Sequence, residues 1–271
     1  MLHCIREAAN LKNPTFANPP VSEVVIGLFF SPIATITNAH FGKFWEKNSE
    51  IWVSARDQNP IPIQLEEFGD TSAFGRLGLQ ISSDPSSRVQ LFSRDRSRLL
   101  QMQREGFFYN WKKIEAEDYP RFQALRGEFF NHFENYSDFV LNETETKINP
   151  LQWEVTYVNS IRKGELWNSV SDWKDIIEGP FGFPPSSLPI SVESAASNWS
   201  YVIGENLGRL RASISHAQQN SDLLVVKLST RGPILNSIEE GIETGHSTIV
   251  NYFEELTSNR AHQFWNLQND V

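Results

Sequence analysis

The sequence predicts an α+β fold made of two internally duplicated β-α-β-β-β-α modules related by a pseudo-two-fold axis. Three observations lead there. Asn18-Pro19 followed by Glu23-Val24 returns as Asn149-Pro150 followed by Glu154-Val155, at a constant offset of 131 residues (149 − 18). The same order of strand and helix patterns follows each copy of the echo. Eight Trp, nineteen Phe and six Tyr in 271 residues, with 21% charged, supply a core for one large domain or two ordinary ones.

In the first half, EVVIGLFF (23–30) reads as a strand and AHFGKFWEK (39–47) as a short helix. RVQLFS, RLLQMQ and GFFYNW then read as three short strands separated by the turn-like RDRS and REG. A long helix is expected from Asp118, with Pro120 in its first turn and Phe122, Leu125, Phe129, Phe133, Tyr136 and Val140 at helical spacing. In the second half WEVTYVNSI is a strand, SVSDWKDII a short helix, and WSYVIG, RLRASIS and LLVVKLS three strands. A second long helix opens at Ser237, where Glu240 completes a capping-box pattern, and its stripe is Ile242, Ile249, Phe253 and Leu256.

These patterns divide the chain into a first module at 1–141 with an N-terminal tail at 1–17, a linker at 142–148 containing NETETK, and a second module at 149–271. The Pro-, Gly- and Ser-rich stretches 54–90 and 178–198 read as loops. Each long helix can bury its stripe only against a sheet, so a four-stranded antiparallel sheet covered by a long helix is expected per module. Sequence alone leaves open whether the two sheets are continuous or facing.

Composition excludes several function classes. No run of eighteen apolar residues occurs and MLHCIREAANLKNP lacks a signal-peptide core, so the expectation is a cytoplasmic protein with no membrane partner. Cys4 is the only cysteine, which rules out an intramolecular disulfide. A net charge of −9 argues against wholesale attraction to nucleic acid. The six His are scattered, and metal, phosphate-loop and nucleophile-elbow signatures are missing, so no catalytic residue, metal or cofactor is expected. EGPFGFPPSS carries proline where phosphate-binding N–H donors would be needed and reads as a rigid loop.

Three groups of residues remain as candidates. Glu23 and Glu154 occupy equivalent positions in the two modules, where they would form either a carboxylate pair for acid/base work or two local salt bridges. With Gln101, Gln103, Asn110 and Trp111 they would line a ligand pocket between the modules, and His246 is the histidine best placed to join it. Residues 88–113 hold seven basic and two acidic side chains among aromatics. Arg94, Arg96, Arg98 and Arg104 there would serve single-stranded nucleic acid, unless they form a solvated turn over core aromatics.

The chain resembles an uncharacterised, sporadically distributed bacterial protein family. The resemblance rests on Asn18-Pro19-Pro20 with Glu23, on Leu100-Gln101-Met102-Gln103 leading to Asn110-Trp111, and on Tyr119-Pro120-Arg121. Glu154-Val155-Thr156-Tyr157-Val158-Asn159 and then His246, Ile249, Phe253, Leu256, Thr257 and Trp265 complete it. It implies no known activity. Patchy occurrence is shared with defence and toxin-neutralisation genes, an analogy at the level of distribution. The leading expectation is therefore a non-enzymatic accessory component of a bacterial conflict system whose partner is another protein. A small-ligand or catalytic pocket between the modules is the first alternative, and single-stranded nucleic-acid binding is the second.

Overall fold

Among the described residues, nine strands join into one antiparallel sheet. The computed structural model describes residues 13–68, 87–115, 118–178, 190–217 and 220–268. The strands are β2 (Val21–Phe30), β3 (Ser54–Gln58), β4 (Arg88–Phe92), β5 (Arg98–Gln103), β6 (Gly106–Lys112), β7 (Pro150–Arg162), β8 (Ala196–Ile203), β9 (Gly208–Ala217) and β10 (Asn220–Pro233). Their order is β3-β4-β5-β6-β2-β7-β10-β9-β8, with every neighbouring pair antiparallel. A separate pair joins β1 (Thr15–Phe16) to β11 (Leu267–Gln268). The helices are α1 (Asn38–Lys47), α2 (Phe122–Thr144), α3 (Ile238–Leu256) and α4 (Asn259–Phe264), with a 3₁₀ turn at Val170–Asp175.

The α+β class and the antiparallel pairing match the sequence reading. Of the two arrangements left open by the sequence, continuous or facing sheets, the structure has the continuous one, because β2 and β7 hydrogen-bond to each other and join the strands into one layer. Ser54–Gln58 also lies in a stretch read as loop but forms the edge strand beside β4. Residues 69–86 of that stretch, and 179–189 of the second expected loop, lie outside the described residues.

The period-two alternation sorts the side chains of the strands onto two faces. Leu100, Met102, Phe107, Tyr109, Trp111, Val24, Ile26, Leu28, Trp153, Val155 and Tyr157 are buried on the face that meets the helices. There α2 packs on β6 while α3 packs on β7, β9 and β10. Phe107 meets Phe129, Phe133 and Tyr136 at ring separations of 5.0–6.0 Å. Ser237 caps α3 as its sequence predicts, its hydroxyl accepting from the Glu240 N–H at 3.1 Å.

The opposite face is polar apart from the buried pair Phe29 and Phe108, and residues 59–68 cross it as a strap. Gln103 binds Ile61 through both of its amide atoms, accepting from N and donating to O at 2.9 Å each. Gln152 does the same to Glu66 N (2.8 Å) and Gln64 O (3.1 Å). The Glu66 carboxylate then pairs with Arg209 at 2.8 Å and with Arg211. Side-chain amides thus replace a tenth strand in satisfying the backbone of the strap.

Two element boundaries differ from the sequence reading. α2 begins at Phe122 instead of Asp118, because Arg121 takes φ 73° and breaks the helix before it. Its other end runs through Thr144 into the expected linker and stops at Glu145 in the left-handed region.

Candidate ligand cavity

The residues singled out in the sequence fall on both sides of the sheet. Glu23, Gln101, Asn110 and Glu154 project from the polar face with Gln103, whereas Trp111 and His246 belong to the helical side. They do not line one pocket, since a continuous sheet stands between the two groups.

On the polar face a ladder of side chains crosses four strands. Arg88 Nη1 and Gln90 Nε2 donate to Gln101 Oε1, Gln101 Nε2 donates to Asn110 Oδ1 at 2.7 Å, and Asn110 Nδ2 donates to Glu23 Oε1 at 2.7 Å. Lys112, directly opposite Glu23 on β6, brings its ammonium to 3.8 Å. Glu154 meets Arg231, directly opposite on β10, at 2.7 Å. The atoms are poorly aligned for a hydrogen bond, so charge holds that pair. Glu23 lies opposite Val158 and Glu154 opposite Gly27, four residues along the paired strands, or about 13 Å. Each carboxylate is held by a cation of its own half, the arrangement of two local salt bridges and not of a carboxylate pair.

The basic region is dispersed in the same way. Arg98 pairs with Glu128 of α2 at 2.8 Å, and Arg104 donates to Ala34 O at 3.1 Å. Arg94 and Arg96 are exposed in a turn built on Asp95, whose carboxyl the Ser93 and Ser97 hydrogen bonds hold at about 2. Phe107, Phe108, Tyr109 and Trp111 are 0–2% exposed, so they offer no stacking platform for a base.

A cavity of about 440 Å³ opens on the helical side, between the N-terminal segment, the start of α2, strand β7 and the middle of α3. Its walls are mainly Phe16, Val21, Phe122, Ile249 and Phe253, with Tyr119, Tyr157, Asn159 and His246 as the inner polar groups. The N-terminal wall is fixed from three directions. β11 pairs with it, Ser247 Oγ donates to Asn13 Oδ1 at 2.8 Å, and Arg121 donates to Phe16 O at 2.8 Å and to Ala17 O at 3.3 Å. Those last bonds account for the positive φ of Arg121, which swings its guanidinium back over the segment.

The polar groups form a line. The Tyr119 hydroxyl lies 3.0 Å from that of Tyr157, which lies 3.0 Å from His246 Nδ1. Phe122 stacks on the imidazole with centroids 3.7 Å apart and planes 11° from parallel. Trp111 backs Tyr119 at 5.3 Å, so it supports the wall without lining the cavity. Burial pushes His246 down to about 3 and Tyr119 up to about 12. Tyr157 is raised well above its ordinary value by burial and then by the neighbouring Tyr119. All three are therefore neutral at pH 7. Asn159 is 2% exposed, donates to Val226 O at 3.3 Å, and has no partner for Oδ1 among the described residues.

His246 is the one sequence-selected candidate that lines this cavity. Tyr119, Arg121, Tyr157 and Asn159 were missed as site residues because they come from segments far apart in the chain. A signal for them existed. Half of the sixteen lining residues among those described, those four together with Pro19, His246, Ile249 and Phe253, are among the residues that carry the family resemblance. No protein-family model matches the chain, and no curated protein matches it.

Proposed function

We propose that this protein binds a small molecule in the cavity between β7, the start of α2 and the middle of α3, a site of the same class as the first alternative in the sequence but one that shares only His246 with the residues named for it. The observation that carries it is a volume of about 440 Å³ with apolar walls and a few convergent, buried polar groups, within the size range of small-molecule sites. Tyr119 and Phe122 come from the first half of the chain and Tyr157, Asn159 and His246 from the second, so the site lies between the halves. The accessory role in a bacterial conflict system rests on composition and resemblance, and ligand binding is compatible with it. Ligand-observed NMR with a fragment library tests the proposal. Binders should appear for the native chain and disappear in Val250→Trp, which fills the cavity from a half-buried position. A library without any binder sensitive to that substitution would overturn the reading.

We also propose that the two halves are copies of one module. Val25 pairs with Thr156, 131 residues on (156 − 25), and the same offset exchanges the pair Glu23–Val158 with the pair Gly27–Glu154, so the antiparallel β2–β7 ladder is symmetric about the sequence echo. The cross-strand partners correspond too, Glu23 with Lys112 and Glu154 with Arg231. An experimental structure in which β2 fails to superpose on β7 with that offset would exclude the duplication.

A further inference from the structure

The chemistry of the ligand follows from which hydrogen-bonding atoms the cavity leaves unused. Three polar groups in a row allow two proton orders, of which one gives every hydroxyl proton an acceptor within the row. If the Tyr119 hydroxyl donates to Tyr157 and Tyr157 donates to His246 Nδ1, every hydroxyl proton has an acceptor. The reverse order would leave the Tyr119 proton without an acceptor among the described residues. The satisfied order puts the imidazole proton on Nε2, which has no partner among the described residues. Asn159 turns its amide nitrogen to Val226 O, which leaves Oδ1 as an acceptor.

We propose that the cavity takes an uncharged aromatic lactam or amide, whose carbonyl accepts from His246 Nε2 and whose N–H donates to Asn159 Oδ1. The inference rests on the cavity being a ligand site. Both side chains are at least nine-tenths buried, at 9% and 2% exposure, and neither atom is among the fully buried atoms without a partner, so each is left to be matched from the cavity side. The charge state follows from the walls. No Asp, Glu or Lys lines the cavity among the described residues, and the Arg121 guanidinium is exposed and committed to two backbone carbonyls. A cation would find no counter-charge, and an anion would have to shed water into apolar walls. Phe16, Phe122, Tyr157 and Phe253 make those walls mostly aromatic, which suits a flat ring system. At about 30 Å³ per water molecule the cavity equals roughly fifteen waters, room for a fused bicycle and its substituents.

Titration calorimetry at pH 7 with four probes of one size tests this: isoquinolinone as the lactam, naphthalene, naphthoate and N-methylquinolinium. The lactam should bind about tenfold or more tightly than each of the others, the worth of one to two buried hydrogen bonds. His246→Phe should lower lactam affinity about tenfold and leave naphthalene unchanged. The ranking on the native chain is decisive by itself should that variant not fold. Equal or tighter binding of naphthalene, naphthoate or the cation overturns the ligand class while leaving the cavity reading in place. Silence of all four up to millimolar concentration overturns the cavity reading as well. Lactam binding that appears only after removal of residues 1–12 would make the chain's own N-terminal segment the occupant and would also overturn the proposal.

Discussion

His246 is a base kept from its proton. Burial among Phe122, Tyr157 and the α3 backbone holds it at about 3, against 6.5 in an unfolded chain. The unfolded state therefore binds the proton first, and stability falls as pH drops from 6.5 toward 3. By pH 5 the loss is about 2 kcal/mol, at 1.36 kcal/mol per unit. Urea unfolding at pH 7 and pH 5 checks it: the native chain should lose about 2 kcal/mol more than His246→Phe between the two conditions. His132, lowered by burial against an opposing pull from Glu128, is present in both proteins and cancels in the difference. Equal losses would show that His246 is solvated. The imidazole could be picked out from sequence because it sits on an otherwise apolar helix stripe. Its partners could not, since Tyr157 and Asn159 read there as ordinary members of a buried strand.

Helix α3 is seated on the sheet by glycine. Gly241 and Gly245 face Trp153, whose indole also lies against Gly208 and Gly232 and donates to Pro233 O at 3.1 Å. A Cβ on Gly245 would stand 2.6 Å from Trp153 Cζ3 and 2.7 Å from Thr230 Oγ1. Gly127, exposed on α2, has no such neighbour within 4 Å. The same substitution should thus have opposite effects in the two helices. Gly127→Ala should stabilise by about 0.5–1 kcal/mol through backbone entropy, and Gly245→Ala should destabilise by about 1–3 kcal/mol through overpacking. Chemical denaturation of both variants checks the signs, and a stabilising Gly245→Ala would mean that α3 does not rest on Trp153. The strands other than β1, β3 and β11, and the Ser237 cap, were legible because local periodicity and local hydrogen bonding determine them. The start of α2 was not, because Arg121 leaves the helical region to reach Phe16 and Ala17, more than a hundred residues away in sequence. The strap was hidden for a related reason: its partners are amides on distant strands, and nothing in its own composition separates it from a loop.

At the scale of the whole molecule, the two halves read from sequence are joined at three places, which predicts one cooperative body. β2 and β7 share a ladder down the centre of the sheet. The strap leaves the first half and ends on Arg209 and Arg211 of the second, while the N-terminal β1 pairs with the C-terminal β11. Each half thus leaves polar backbone and apolar surface open unless the other is folded, so the chain should unfold as one unit despite its length. Tryptophan fluorescence and far-UV circular dichroism should give coincident urea transitions, and two resolved transitions would show that the seam is weaker than either half. Glu66→Ala sharpens the test, because the Glu66 side chain is 4% exposed and Arg209, 12% exposed, loses its buried counter-charge. A loss of about 3 kcal/mol is expected from a broken buried pair. If the halves are one cooperative body, that loss must move both probes to the same lower midpoint with no change in slope. A shift confined to one probe would mean that the strap stabilises only the strands it touches.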